Sequence, residues 1–199
     1  MSFHKKTTLF MFVDYGICFL LQFFGLYIMV LVQNIPWGPP LYSILFCAIL
    51  FIFHYVRTNK AARHDLTYET GAHSPWTGLF LALPLVVLHL IIIGFYALIQ
   101  TDFLPLGDIV IRTVYEFPDN APRQAVDFIL LDYATPVVRL WFFSLLGFTS
   151  EKTSALLLLI VPVLTLIAGW TGYLAGLKNF SALEAYDALQ KKLIKKFND

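Results

Sequence analysis

His89 needs a chemical explanation, because this ionisable side chain lies within the aliphatic run LPLVVLHLIIIGF. An ionisable residue inside a membrane span is a functional hypothesis by default when a partner shares its depth. At about 1.5 Å per helical residue, Gln22 and Thr165 fall near the same mid-membrane depth. We interpret Gln22, His89 and Thr165 as a candidate intramembrane polar layer. Its ordinary role is hydrogen bonding between helices, and the alternatives are proton or substrate handling and cofactor ligation.

A second set of ionisable residues lies at one level of the first two apolar segments. Asp14 belongs to the first segment, and His54 and Arg57 lie at the end of the second. Counting helical rise from the turn between the segments puts the carboxylate and the two cationic groups at similar depths. We interpret Asp14, His54 and Arg57 as a candidate buried ion pair, since a carboxylate inside a membrane requires a cation beside it.

Potential metal ligands occur in the segment RTNKAARHDLTYETGAHSPW, which holds His64, Asp65, Glu69 and His73. Only Glu69 and His73 have the four-residue spacing that places two ligands on one helical face, and a glycine separates them. We interpret this segment as a solvated loop. The sequence also lacks a Walker A loop, an HExxH motif, a GxSxG motif and paired CxxC motifs, so we predict no metal site, no cofactor and no soluble-type catalysis.

The segment VDFILLDYATPVVRLWFFSLLGF is apolar but carries charges. Thr135 followed by Pro136 is typical of a helix start, which predicts a helix over 136–147. Such a helix reaches only about 18 Å, short of the ~30 Å hydrocarbon core. Asp132, Thr135 and Arg139 then form an external polar stripe. We expect the helix to lie in the outer interface, with a re-entrant element or a true span as the alternatives.

The elements that position these residues are membrane spans. The chain of 199 residues is 58% hydrophobic and only 14% charged, whereas soluble domains carry about 25% charged residues. Prolines and glycines in QNIPWGPP indicate a tight turn between the first two apolar segments. We therefore predict an all-α integral membrane protein with four transmembrane helices, over approximately 9–32, 41–56, 79–99 and 153–177.

The distribution of basic residues predicts the orientation of these spans. With four spans and both termini cytoplasmic, ten of the 14 lysines and arginines lie inside. Residues 100–152 then form an external region. A fifth span would place the basic C-terminal tail outside, against the positive-inside rule. We expect an integral protein of a bacterial cytoplasmic membrane, with residues 1–177 as a single transmembrane domain.

Two further segments offer contact surfaces. The tail 178–199 contains SALEAYDALQKKLIKKF, which predicts a cytoplasmic amphipathic helix that binds anionic lipid headgroups or a partner protein. Ala168, Gly172 and Gly176 place small residues four apart in the last span. This spacing predicts a close helix packing face, within the chain or between subunits.

Three function classes remain open. We expect an accessory or scaffold subunit of a larger membrane complex, because the tail, the small-residue face and the external helix all offer contacts. The first alternative is an oligomeric transporter or channel protomer built around the mid-membrane polar layer. The second is a membrane enzyme that acts on a lipid-linked substrate through Asp127, Asp132 and Arg139. The expected partners are the lipid bilayer and other membrane subunits or further copies of this chain, and we expect no nucleic acid because no basic groove is present.

Overall fold

A computed structural model describes residues 3–68, 73–100, 108–116, 124–149 and 154–180. This part of the chain is all-α in class, with a two-stranded antiparallel hairpin as its non-helical element. In chain order the elements are α1 (Phe3–Val32), α2 (Gly38–Tyr68), α3 (Thr77–Gln100), β1 (Val110–Glu116), β2 (Gln124–Ile129), α4 (Leu130–Trp141), a 3-10 turn (Phe143–Leu145), α5 (Ala155–Leu158) and α6 (Ile160–Leu177).

Three helical segments are long and apolar enough to cross a membrane: α2, α3, and α5 with α6 taken together. A fourth qualifies if Phe3–Gln22 and Phe24–Val32 of α1 are taken as one bent span. The chain is therefore an all-α protein with three to four helices of membrane-spanning length. The count includes only the residues that the structure describes, and the predicted tail helix over 178–199 lies almost wholly outside them.

The turn between α1 and α2 lies within QNIPWGPP. The Ile35 amide donates to the Val32 carbonyl at 3.0 Å, and the Gly38 amide donates to the Ile35 carbonyl at 2.8 Å. A β-carbon at Gly38 would lie 2.0 Å from the Val32 carbonyl oxygen, so only glycine allows this return of the chain. Pro39 and Pro40 follow at the start of α2, where a missing amide hydrogen leaves no helical bond unmade.

Helix α2 continues to Tyr68, twelve residues beyond the predicted end of the second span at residue 56. The prediction of a solvated loop after that point was therefore wrong for 57–68. Thr58, Ala61, Ala62 and Asp65 recur at helical spacing and are all fully buried. The helix continues because this face of small and polar side chains packs inside the protein, although its hydropathy resembles that of a loop.

The chain forms two compact units. The first contains the described parts of residues 1–18, 48–86 and 163–199, drawn from α1, α2, α3 and α6. Its apolar core includes Met11, Tyr15, Leu50, Leu85, Ala168 and Tyr173. The Thr8 hydroxyl donates to the Leu81 carbonyl at 3.3 Å and so joins α1 to α3 within this unit.

The second unit contains the described parts of residues 19–47 and 87–162. Its core includes Phe46, Tyr96, Phe142, Phe143, Leu145 and Leu158. Strands β1 and β2 pair with Val110 opposite Ile129 and Glu116 opposite Gln124, and an irregularity lies between Val110 and Arg112. This hairpin was not predicted from the sequence.

Helix α4 begins at Leu130, six residues before the predicted helix 136–147, and ends at Trp141. The Asp132 carboxylate accepts the Ile129 amide hydrogen at 2.9 Å, which caps the helix at this earlier point. Pro136 consequently lies inside α4 instead of at its first position. The helix has 12 residues, about 18 Å, and is too short to cross a ~30 Å core alone.

Candidate functional site

Asp14 of α1 and Arg57 of α2 form a bidentate ion pair in the first unit. The Arg57 Nη2 and Nε atoms donate to Asp14 Oδ1 and Oδ2 at 2.6 and 2.8 Å. The Asp14 side chain is 8% exposed and the Arg57 side chain 30% exposed. The guanidinium also lies 4.8 Å from the centre of the Phe10 ring. A planar guanidinium satisfies both carboxylate oxygens at once, so the pair fastens α1 to α2.

His54 lies three residues before Arg57 and is completely buried. The Met11 backbone carbonyl, the Asp14 carboxylate and the Arg57 guanidinium lie close to the imidazole. The structure thus places all three members of the predicted ion-pair cluster in one unit. Asp14 and Arg57 bind each other, and His54 lies beside them against the Met11 backbone carbonyl.

Asp65 near the end of α2 is the centre of a second buried polar cluster. His4 Nε2 lies 3.0 and 2.9 Å from the two carboxylate oxygens, and the Tyr173 hydroxyl donates to Oδ2 at 2.5 Å. His64 Nδ1 approaches Oδ1 to 3.7 Å, and its ring stacks on Phe3 with centres 3.6 Å apart. This carboxylate connects α1, α2 and α6. It was missed because its segment was assigned to a solvated loop.

A usable signal for this cluster was nevertheless present in the sequence. Helical spacing from His54 continues through Thr58, Ala61 and Asp65, which gives positions i, i+4, i+7 and i+11 on one face. Small residues on that face match the small residues of α6. Helical periodicity would therefore have predicted a longer α2, whereas mean hydropathy predicted that the segment after residue 56 is a loop.

The small residues of α6 pack against α2 within the chain. A β-carbon at Gly172 would lie 2.4 Å from the Tyr55 carbonyl oxygen, and one at Gly176 would lie 2.5 Å from the Asn59 carbonyl oxygen. The Thr58 hydroxyl donates to the Ala168 carbonyl at 3.4 Å. The Asn59 amide donates to the Gly172 carbonyl at 3.3 Å. The face formed by Ala168, Gly172 and Gly176 is therefore occupied inside the first unit.

The predicted mid-membrane layer is divided between the two units. Gln22 and His89 belong to the second unit and Thr165 to the first, and all three side chains are almost fully buried. Gln22 Nε2 donates to the Phe143 carbonyl at 2.9 Å. The His89 ring lies 5.5 Å from the Phe142 ring. Gln22 and His89 thus both contact the short segment that follows α4.

The predicted external stripe is engaged in structural bonds of its own. Asp132 caps α4 as described above. The Thr135 hydroxyl shares a buried hydrogen bond of 3.2 Å with the Tyr96 hydroxyl. Arg139 donates to the hydroxyl and the carbonyl of Thr149 at 3.3 and 3.2 Å. These bonds fix α4 and the segment after it.

Asp127, the third acidic candidate for catalysis, lies on the hairpin. Its carboxylate accepts the Thr113 hydroxyl at 2.7 Å from the facing strand. This contact is a cross-strand pair of the kind that stabilises two-stranded sheets. The described residues contain no group of three or more His, Cys, Asp or Glu side chains with a geometry that could hold a metal ion.

The described polar residues can therefore do two kinds of chemistry. Asp14 with Arg57, and Asp65 with His4 and Tyr173, join helices through charge-assisted hydrogen bonds. The imidazole of His54 can accept or donate a proton beside an ion pair. No protein-family model matches this sequence, and comparisons with curated proteins and with solved structures found no similar chain.

Proposed function

We propose that this chain is a small polytopic membrane protein that serves as an accessory or scaffold subunit of a larger membrane complex. One observation carries the proposal. Both carboxylates that are buried in the described residues, Asp14 and Asp65, are held by side chains of this same chain. Buried carboxylates that are bonded within the chain make helix contacts rigid and specific, which suits a structural subunit.

The proposed arrangement in the membrane has four spans, with both termini cytoplasmic. Residues 100–152 are external, and α4 lies in the outer interface or re-enters the membrane. The tail 178–199 forms a basic amphipathic helix that binds anionic lipid headgroups or a cytoplasmic partner. The length of α4 and the distribution of lysine and arginine support this topology.

Cysteine accessibility tests the topology. A cysteine inserted after Lys196 should resist an impermeant thiol reagent in intact cells and react once the membrane is opened. A cysteine at Asp108, in the external region, is the matched control and should react in intact cells. Labelling of the C-terminal cysteine from outside would contradict the four-span arrangement.

Purification of the full chain from its native membrane in mild detergent tests the scaffold role. We expect a particle larger than the monomer, which contains a second membrane polypeptide in fixed stoichiometry. The same stoichiometry should reappear after separation and recombination of the purified components. A monomer under all these conditions would contradict the proposal.

A homo-oligomer would instead favour the second candidate function, an oligomeric transporter or channel protomer. His54 supports this candidate, because it is a completely buried ionisable group beside Asp14 and Arg57. His54→Gln tests it in proteoliposomes that report a change of internal pH. Under the transport hypothesis the variant folds normally and loses proton movement, whereas under the scaffold proposal it leaves complex assembly unchanged.

A further inference from the structure

A groove of about 490 Å³ lies between α3 and α4 in the second unit. Its walls are almost entirely apolar. They include Ile91, Phe95 and Ile99 from α3 and Leu130, Ala134 and Val138 from α4. Water has few polar partners in such a space, and apolar cavities remain dry or take apolar ligands.

The length and volume of the groove fit an extended chain. Its α4 wall runs from Leu130 to Trp141, a rise of about 16 Å. A single hydrocarbon chain, with carbon contacts near 4 Å, needs a cross-section of roughly 20 Å². One extended chain can therefore lie along the groove.

The surroundings of the groove indicate which molecule supplies the hydrocarbon chain. Helix α3 is long and apolar enough to cross a membrane. Ile91 and Phe95 on its groove face are 62% and 58% exposed, and Val137 on α4 is 67% exposed. The groove thus opens onto an apolar surface of a membrane-spanning segment, where lipid is the solvent.

The walls of the groove are held in place by a separate contact. The buried hydrogen bond between Tyr96 of α3 and Thr135 of α4 joins the two helices beside the groove. Asp132 and Arg139 fix the two ends of α4 through their own bonds. A groove with fixed walls binds a flexible chain without the entropic cost of ordering the protein side chains first.

From these observations we propose that the groove between α3 and α4 is a binding site for one acyl chain of a membrane phospholipid. The inference goes beyond the scaffold role and does not depend on it. It assigns a ligand class to the surface that α4 shares with α3.

Photolabelling of the full chain in proteoliposomes tests the site. The probe is a phosphatidylcholine with a diazirine in one acyl chain, diluted into unlabelled phosphatidylcholine, and adducts are mapped by peptide mass spectrometry. We expect adducts concentrated on 91–99 and 130–141. Ala134→Phe, which fills the groove from α4, should lower labelling there by about tenfold, equivalent to the loss of roughly two methylene contacts.

A second variant and a control keep the result decisive. Ile91→Trp fills the groove from the α3 wall and should lower labelling similarly, so it decides the question if Ala134→Phe does not fold. Gly16→Phe adds a ring to α1 where nothing lies within 4 Å of a β-carbon and where no residue lines the groove, so labelling of the groove should persist. Undiminished labelling in either folded filling variant would overturn the proposal. Adducts equally dense on the exposed residues of α1 would also overturn it, because they would show only lipid that surrounds every span.

Discussion

Loss of Arg57 should destabilise the helical core more than loss of Asp14, although the two residues form one ion pair. The Asp14 side chain is 8% exposed, so removal of Arg57 leaves a carboxylate that water reaches poorly. The Arg57 side chain is 30% exposed and lies over the Phe10 ring. Removal of Asp14 therefore leaves a guanidinium that keeps partial hydration and a cation–π contact.

The expected magnitudes follow from this difference in exposure. Breaking a buried pair costs about 3–5 kcal/mol when the remaining charge is uncompensated. We expect roughly 3 kcal/mol for Arg57→Met, at the lower end because the pair is only partly buried. We expect roughly 1 kcal/mol for Asp14→Asn, since the partly exposed cation stays solvated. The measurement is the free energy of unfolding in mixed micelles, titrated with denaturing detergent and followed by tryptophan fluorescence.

The double variant separates the ion pair from other effects of the two substitutions. Asp14→Asn combined with Arg57→Met should be more stable than Arg57→Met alone, because it removes the stranded carboxylate. The double-mutant cycle should then give a coupling energy of about 1–3 kcal/mol. Equal costs for the two single variants, or strictly additive costs, would refute the argument that the fold shields Asp14 more than Arg57.

Two further predictions concern α6. Tyr173→Phe should lower the free energy of unfolding by about 1.5–3 kcal/mol, because the hydroxyl bonds to the buried Asp65 carboxylate; an unchanged value in the same titration would show that this bond is not maintained. Gly172→Ala should cost about 1–3 kcal/mol by forcing α6 away from the Tyr55 carbonyl. Gly94→Ala in α3, where nothing lies within 4 Å, should instead be neutral or stabilise by up to ~1 kcal/mol; equal costs at the two glycines would disprove the close approach.

Some contacts can be predicted from the sequence because depth along a helix can be counted. Asp14 and Arg57 were paired from helical rise alone, and the structure brings their side chains into bidentate contact. The small-residue spacing of Gly172 and Gly176 indicated close packing, and both glycines face α2. The spacing did not identify the helix against which α6 packs, because a stripe of small residues accepts any helix that presents a matching surface.

Other elements could not be predicted from the sequence, because tertiary contacts override local hydropathy. The residues after 56 have the polarity of a loop, yet the α2 helix continues because Thr58 and Asp65 find partners in α1 and α6. At α4, two capping signals compete within six residues. The Asp132 carboxylate captures the Ile129 amide, so the helix starts before the Thr135–Pro136 pair that was predicted to begin it.

The length of α2 decides which buried groups count as intramembrane. Its 31 residues span about 46 Å, some 16 Å more than a ~30 Å hydrocarbon core. With the hydrocarbon core taken from Gly38, the first residue of α2, His54 lies about 24 Å in, Arg57 reaches the far boundary at about 28 Å, and Asp65 lies about 40 Å along, beyond it. The Asp65 cluster therefore lies outside the hydrocarbon core. The rule that an ionisable group inside a membrane suggests a function does not apply to it. Arg57 at the boundary can reach the headgroup region. Removal of Asp14 should therefore lower the free energy of unfolding only slightly. Among the histidine, lysine, arginine and acidic side chains of α2, this placement leaves only His54 inside the core. The transport alternative therefore has His54 as a second buried candidate besides the layer of Gln22, His89 and Thr165.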